Sequence, residues 1–172
     1  MRSSIAIALL LLSAGAVAEG QEDIDRYLLL AAERTGTMQQ EINEAAARGF
    51  RVVAASPSDG SEVIVLLEQA EGKHQYLLVA TTRTGTLQRE IADAAEAGYR
   101  ILPRALVRKG DELLVLLEKG PEGLAKARYL VLATERTGTL QKEISQASID
   151  GYTLVALSSH GEHVVILERG AR

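Results

Sequence analysis

Three copies of one polar segment have the residue types best suited to bind a ligand. Each copy has the sequence Arg-Thr-Gly-Thr and precedes a stretch with helical periodicity, so each is expected in a loop that leads into a helix. A helix N-terminus offers unpaired N–H groups and partial positive charge, which together with arginine and hydroxyls suit phosphate, sulfate or carboxylate. The predicted anion-binding residues are Arg34, Thr35, Gly36, Thr37, Arg83, Thr84, Gly85, Thr86, Arg136, Thr137, Gly138 and Thr139.

The same segments also have a purely structural interpretation, and it needs fewer assumptions. A threonine or glycine would cap the helix, and the glutamine that follows (Gln39, Gln88 or Gln141) would return a hydrogen bond. Every helix start needs a cap, so a fold with three such helices would repeat the segment without any ligand. The segments are not P-loops, because no Gly-Lys-Ser/Thr follows them.

Histidine and glutamate residues give two weaker candidate sites. His160, Glu162 and His163 form a cluster that could hold a transition metal, although it lacks the helical His-Glu-x-x-His spacing of zinc proteases. Glu68, Glu118 and Glu168 recur at one position, where each is expected to meet water or a tyrosine hydroxyl rather than a cation. The remaining histidine, His74, falls in a linker and is expected to be solvated. No cofactor is expected.

An internal repeat must position all of these residues. The stretch from Tyr27 to Ile42 returns from Tyr76 to Ile91 and again from Tyr129 to Ile144. Apolar runs, a helical stripe that ends at a glycine, and a turn predict strand, helix, strand, strand in each copy. The expected organisation is a leader at residues 1–18 and three βαββ repeats at 19–70, 71–122 and 123–172.

The predicted fold class is α+β. The third strands are continuously apolar, as in Val63 to Leu67 and Leu113 to Leu117, so both faces of each sheet must be covered. One helix per unit covers only one face. We therefore expect the three repeats to pack as one pseudo-threefold or barrel-like body with the helices outside. One long sheet, covered by a partner chain, is the alternative.

The order of elements resembles that of a known kind of domain. The matching residues follow each helix and are Gly49-Phe50-Arg51-Val52-Val53, Gly98-Tyr99-Arg100-Ile101-Leu102 and Gly151-Tyr152-Thr153-Leu154-Val155. In this order each unit resembles small bacterial βαββ domains of unknown function. The resemblance brings no catalytic residues with it.

The first eighteen residues are typical of a secretory signal peptide. Met1 and Arg2 give a positive start, Ile5 to Leu12 is a short apolar run, and Ala16-Val17-Ala18 matches a cleavage pattern. The run is too short to span a membrane, which takes about 20 residues. The sequence therefore predicts a periplasmic or secreted protein with no stable membrane insertion after cleavage.

Composition excludes several classes of function. Among 172 residues there is no cysteine, which rules out disulfides and thiol chemistry, and the net charge of −4 argues against nucleic acid as a partner. We expect a non-enzymatic binding or scaffold protein of the bacterial envelope, whose partner is an envelope protein or cell-envelope ligand; an oligomer is possible. The alternative is a small-anion binder that uses the Arg-Thr-Gly-Thr segments, and a hydrolase of unknown type comes third.

Overall fold

The computed structural model describes residues 26–58, 61–120 and 126–170 of the chain. In this part the protein is an α+β structure with three helices and three antiparallel sheets of three strands each, which confirms the predicted class. The predicted leader at residues 1–18 lies outside the described residues. No helix in the described ranges is both long and apolar enough to cross a membrane.

The order strand, helix, strand, strand occurs three times, and each such group is called a unit below. The first unit contains β1 (Tyr27–Ala32), α1 (Thr35–Ala47), β2 (Phe50–Pro57) and β3 (Val63–Gln69). The second contains β4 (Gln75–Thr81), α2 (Thr84–Glu96), β5 (Arg100–Lys109) and β6 (Glu112–Lys119). The third contains β7 (Ala127–Thr134), α3 (Thr137–Ile149), β8 (Thr153–His160) and β9 (Glu162–Gly170).

The last strand of each unit lies in the middle of its sheet. β3 pairs antiparallel with both β1 and β2, which are therefore parallel to each other at the two edges. Tyr27 and Arg51 lie opposite Glu68 from the two sides, so the register brings these three residues to one end of the sheet. A β-bulge between Val52 and Ala54 shifts the register along β2. The other two sheets have the same order.

Each helix begins on Thr-Gly-Thr and is followed by a glycine with left-handed backbone. α1 starts at Thr35, so the segment predicted as a loop forms the first helical turn instead. Gly49 has a φ of +90° and ends the helix, as the sequence predicted. Glycine adopts this conformation without the steric cost of a Cβ, which lets the chain turn directly into β2. Gly98 and Gly151 repeat the arrangement.

The helix of the first unit packs against two sheets. Met38 and Ile42 of α1 are buried in a cluster with Val65 of their own sheet and with Leu114 and Leu116 of the next sheet. A second cluster repeats this arrangement around α2, between the sheets of the second and third units. The expectation that the helices lie outside is therefore wrong for α1 and α2, because each also covers the sheet that follows it.

The middle strands show how far each sheet is covered. All residues of β6 from Leu113 to Glu118 are buried, as the continuous apolar pattern predicted. Val115 packs in the cluster around α2, whereas its neighbour Leu116 packs in the cluster of the first unit, so both faces of the strand are covered. In β3 the pattern alternates between buried and half-buried residues instead. Among the described residues, no preceding unit covers the second face of β3 in the way that the first unit covers β6.

Candidate functional site

The predicted anion-binding residues are spread over three separate helix starts. Arg34, Arg83 and Arg136 are the N-cap residues, each with extended backbone, and their side chains are exposed on different units. The Thr-Gly-Thr residues at 35–37, 84–86 and 137–139 form the first helical turns. The N-cap of each of these three described helices is the arginine and makes no side-chain capping hydrogen bond, so the expected cap by a threonine or glycine is wrong.

The surroundings of the first segment do not favour an anion. A Cβ at the glycine of any of the three segments would meet no atom within 4 Å, and none of these glycines has a positive φ. Thr35 and Gly36 line a cavity of about 700 Å³, but Glu90 and Asp93 line it as well. Negative side chains repel an anion, so anion binding stays a prediction that the local charges oppose.

The glutamines after the first two segments, Gln39 and Gln88, have a role that their sequence context did not predict. Gln39 Nε2 donates to the carbonyl oxygen of Tyr76 at 2.8 Å, and its Oε1 accepts the N–H of Leu78 at 2.5 Å. Gln88 makes the same pair of bonds to β7, at 3.0 and 2.7 Å. A side-chain amide thus pairs with the outer edge of the next unit's first strand, where another strand would otherwise bind.

A tyrosine, a glutamate and an arginine also join the first two units. Tyr76 Oη donates to Glu118 Oε2 at 2.7 Å and accepts the N–H of Val52 at 3.0 Å. Arg51 of the first unit donates to both oxygens of Glu118, at 3.0 and 2.8 Å. The glutamate therefore accepts a tyrosine hydroxyl, which was one of the two environments expected for it. The second junction uses Tyr129, Glu168, Arg100 and Ile101 in the same way.

Electrostatics match this structural role. Burial alone would raise the pKa of Glu118, but hydrogen bonds from Arg51 and Tyr76 hold that pKa below its usual value. Burial and the bond to Glu168 raise the pKa of Tyr129 to about 12. His74 is not solvated as expected, since its Nδ1 lies 3.6 Å from Glu118 Oε2. At each junction the glutamate and the tyrosine are hydrogen-bonded to each other, Glu118 to Tyr76 and Glu168 to Tyr129.

The third unit departs from the pattern at the positions that face a following unit elsewhere. Thr153 occupies the position of Arg51 and Arg100. Gln141 is retained, but its Nε2 donates within its own helix to Ser145 Oγ at 3.2 Å. The third unit thus keeps the glutamine that the two internal junctions use but has Thr153 in place of their arginine.

The exposed large hydrophobic residues of the described ranges fall into two groups, one on the first unit and one on the third. We call the group on the first unit the leading end: Tyr27, Leu29 and Val53. We call the group on the third unit the trailing end: Ile149, Leu154 and Leu157.

Equivalent residues inside the protein are covered by a neighbouring unit. Tyr27 is 49% exposed, whereas Tyr76 at the same position is 3% exposed. Leu29 and Val53 correspond to Leu78 and Leu102, which pack against the core of the first unit. The leading end is therefore equivalent to the surface that the second unit buries against the first unit.

Residues of the trailing end are likewise exposed where their counterparts inside the protein are buried. Leu154 is 61% exposed and Leu157 is 56% exposed. Their counterparts in the second unit are only 4% and 8% exposed, and these are Ile101 and Leu106, which join the core shared with the third unit. The register confirms the equivalence, because Leu106 and Leu157 lie opposite corresponding valines of their middle strands.

Comparisons with known proteins give no family for the chain. No family model matches it, and neither a curated protein nor a solved structure matches it. The resemblance to small bacterial βαββ domains therefore stays a prediction.

Residues near the hairpin tips of all three units lie around one cavity. Ser58, Arg108 and His160 line one cavity of about 500 Å³. His163 Nδ1 lies 2.7 Å from Ser159 Oγ rather than beside a second metal ligand. No group of three or more His, Asp or Glu in the part of the chain that the structure describes is placed to hold a metal ion. The predicted cluster at His160, Glu162 and His163 thus gains no geometric support.

Proposed function

We propose that this chain is an exported, non-enzymatic binding or scaffold protein of the bacterial envelope, and that its two ends are the binding surfaces. One observation carries the proposal: the exposed large hydrophobic residues of the described ranges lie at the leading and trailing ends. Contiguous exposed apolar residues mark interaction surfaces in soluble proteins. Scattered exposure would have no such meaning.

The proposal includes an arrangement of three tandem copies as an open row, in place of a pseudo-threefold or barrel-like body. In a closed body, the third unit would cover the first as each unit covers its neighbour. The exposure of Leu29 at one end and of Leu154 at the other supports the open row, because their counterparts inside the protein are covered. A row with two unlike ends provides two different binding surfaces.

The ionisable groups support a non-enzymatic role. Glu118 and Tyr76 have shifted pKa values, which in a cleft would mark a candidate catalytic site. Here each is bonded to the other and to the first unit across a junction, so their chemistry is used to join units. The small-anion alternative has its own test: phosphate or sulfate should raise the melting temperature, and Arg34→Ala, Arg83→Ala and Arg136→Ala together should abolish the rise.

Export is supported by the sequence of residues 1–18. Expression in a bacterium followed by fractionation tests it directly. The proposal predicts recovery from the periplasm or medium and an intact mass that corresponds to a chain beginning at Glu19. Recovery of the uncleaved chain from the cytoplasm would contradict it.

Binding through the ends is tested by affinity capture from an envelope extract. The bait is the purified chain, and the test variants are Leu29→Asp at the leading end and Leu157→Asp at the trailing end. Thr82→Glu is the matched control, because it adds the same charge at an exposed loop position where the other two units have Glu33 and Glu135. We expect the control to keep any retained protein and at least one end variant to lose it. Retention unchanged by both end variants would refute the proposed surfaces.

A further inference from the structure

We propose that the partner of each end is a second copy of this chain, with the trailing end of one copy docked on the leading end of the next. This inference rests on the proposed function, because it names the occupant of the same two surfaces. The reason for choosing a second copy is internal. The structure contains this junction twice already, between the first and second units and between the second and third.

The leading end is ready to receive a preceding unit. In β4 and β7, the backbone groups on the outer edge bond to a glutamine of the preceding helix. In β1 the corresponding groups belong to Tyr27 and Leu29. The carbonyl oxygen of Arg26 accepts a bond from the N–H of Gln69, across the sheet, and backbone groups alternate in direction along an antiparallel strand. Those of Tyr27 and Leu29 therefore point away from β3, toward the open edge.

The trailing end retains residues that make such a junction. Gln141 is the counterpart of Gln39 and Gln88, and it can replace its bond to Ser145 by bonds to the edge of β1. Leu154 and Leu157 are the counterparts of two residues that the second unit buries against the third. Polar and apolar parts of the junction are thus present on one surface.

Substitutions in the third unit show that this junction is weaker than the internal ones. Thr153 stands in place of the arginine, so Glu68 of a second copy would gain no guanidinium partner. Ser148 stands where the first two units bury an alanine. The first junction has a further bond donor and acceptor in Asn43, at whose position the third unit has Ser145. A junction with fewer polar bonds and less apolar surface should form and dissociate with protein concentration.

The two ends are different surfaces, so the contact is heterologous. Such a contact repeats from copy to copy and gives a closed ring or an open chain of copies, in contrast to the closed pair made by a self-complementary patch. Because the ends differ, mixing two variants can distinguish this contact from a self-complementary one. A variant that has lost one end still carries the other.

Sedimentation velocity on the purified chain tests the proposal over a range of concentrations up to the hundreds of micromolar. We expect the unmodified chain and the Thr82→Glu control to form species larger than a monomer that dissociate on dilution. Leu29→Asp and Leu154→Asp should each be monomeric alone. An equal mixture of these two should give a dimer and nothing larger, because only one intact pair of ends remains.

The aspartate variants could lose association because they fail to fold, so a variant that should associate more strongly is also needed. Thr153→Arg restores the residue found at both internal junctions, and it should tighten association about three- to tenfold through a charge-assisted bond to Glu68. Thr153→Lys is its control and should give a smaller gain, since lysine cannot bond both carboxylate oxygens in the same way.

Two results would overturn self-docking. A chain that stays monomeric throughout, with Thr153→Arg also monomeric, has no complementary ends. Dimers formed by Leu29→Asp alone and by Leu154→Asp alone would show a self-complementary patch elsewhere. If the monomeric chain still captures an envelope protein through Leu29 or Leu157, self-docking fails and the proposed function stands. If it captures nothing, both fail.

Discussion

The internal junctions and the free ends of this protein present the same two surfaces in two states, covered inside the protein and exposed at its ends. At a junction, Tyr76 is buried and bonded to a glutamate, and the edge of its strand pairs with Gln39. At the leading end, Tyr27 occupies the same position and is half exposed. The difference teaches that the burial of a residue here depends on the neighbouring unit as much as on its own sheet. Equivalent positions can therefore serve as matched controls for one another.

The largest contrast is expected in the middle strands. Leu116 of β6 is fully buried against the first unit, and Leu66 is its half-buried counterpart in β3. Leu116→Ala should lower the free energy of unfolding by about 2–5 kcal/mol, the range for a buried leucine. Leu66→Ala should cost less than half as much, because less apolar surface is lost. Urea denaturation at low protein concentration measures both, and equal losses would contradict the comparison.

The glutamates give the next contrast. Glu118 is buried and accepts bonds from Tyr76 and Arg51, so Glu118→Ala leaves a buried hydroxyl without its acceptor. We expect a loss of about 1–3 kcal/mol, mostly from the tyrosine, since half of the Arg51 side chain is in solvent. Glu68→Ala should change stability by less than about 0.5 kcal/mol. Thermal and urea unfolding of both variants check this. A larger loss for Glu68→Ala than for Glu118→Ala would contradict the stabilising role of Glu118.

Sequence could predict the elements but not the junctions. The strand from Tyr27 to Ala32, the stripe of Met38 and Ile42 and the glycine after the helix follow from local periodicity, and the structure confirms them. The role of Gln39 could not be predicted, because its partners lie in another unit and are backbone atoms, which leave no mark in residue types. One signal was available: the arginine of β2 and β5 recurs in the first two units, while Thr153 breaks the repeat in the third.

A smaller contrast is expected for the glutamines. Gln39 satisfies two backbone groups of the next unit, and Gln39→Ala should cost about 1 kcal/mol, because water can reach part of the vacated site. Gln141 bonds only within α3, so Gln141→Ala should be nearly neutral in the dissociated chain. Chemical denaturation of the two variants at low micromolar concentration resolves the difference. Equal effects would mean that Gln39 acts only through its own helix.

The smallest contrast is in the dependence of stability on pH. The pKa of Glu118 is lowered in the folded protein, so the folded state binds its proton less readily than the unfolded chain does. The stabilisation is therefore full above the usual glutamate pKa of 4.5 and is lost as the pH falls through the lowered value. Glu118→Gln should flatten this part of the acid-stability curve, because the amide does not titrate. An unchanged curve for Glu118→Gln would contradict the ion pair.

Amide hydrogen exchange at the outer edges of the first strands tests the central claim most directly. The claim is that the edge of β1 is the uncovered counterpart of β4 and β7. In dilute protein, the N–H groups of Leu78 and Val131 should be protected by their glutamines, whereas the N–H of Leu29 should exchange rapidly. Raising the protein concentration should slow exchange at Leu29 alone. Equal protection of all three amides in dilute protein, or no response of Leu29 to concentration, would contradict the account.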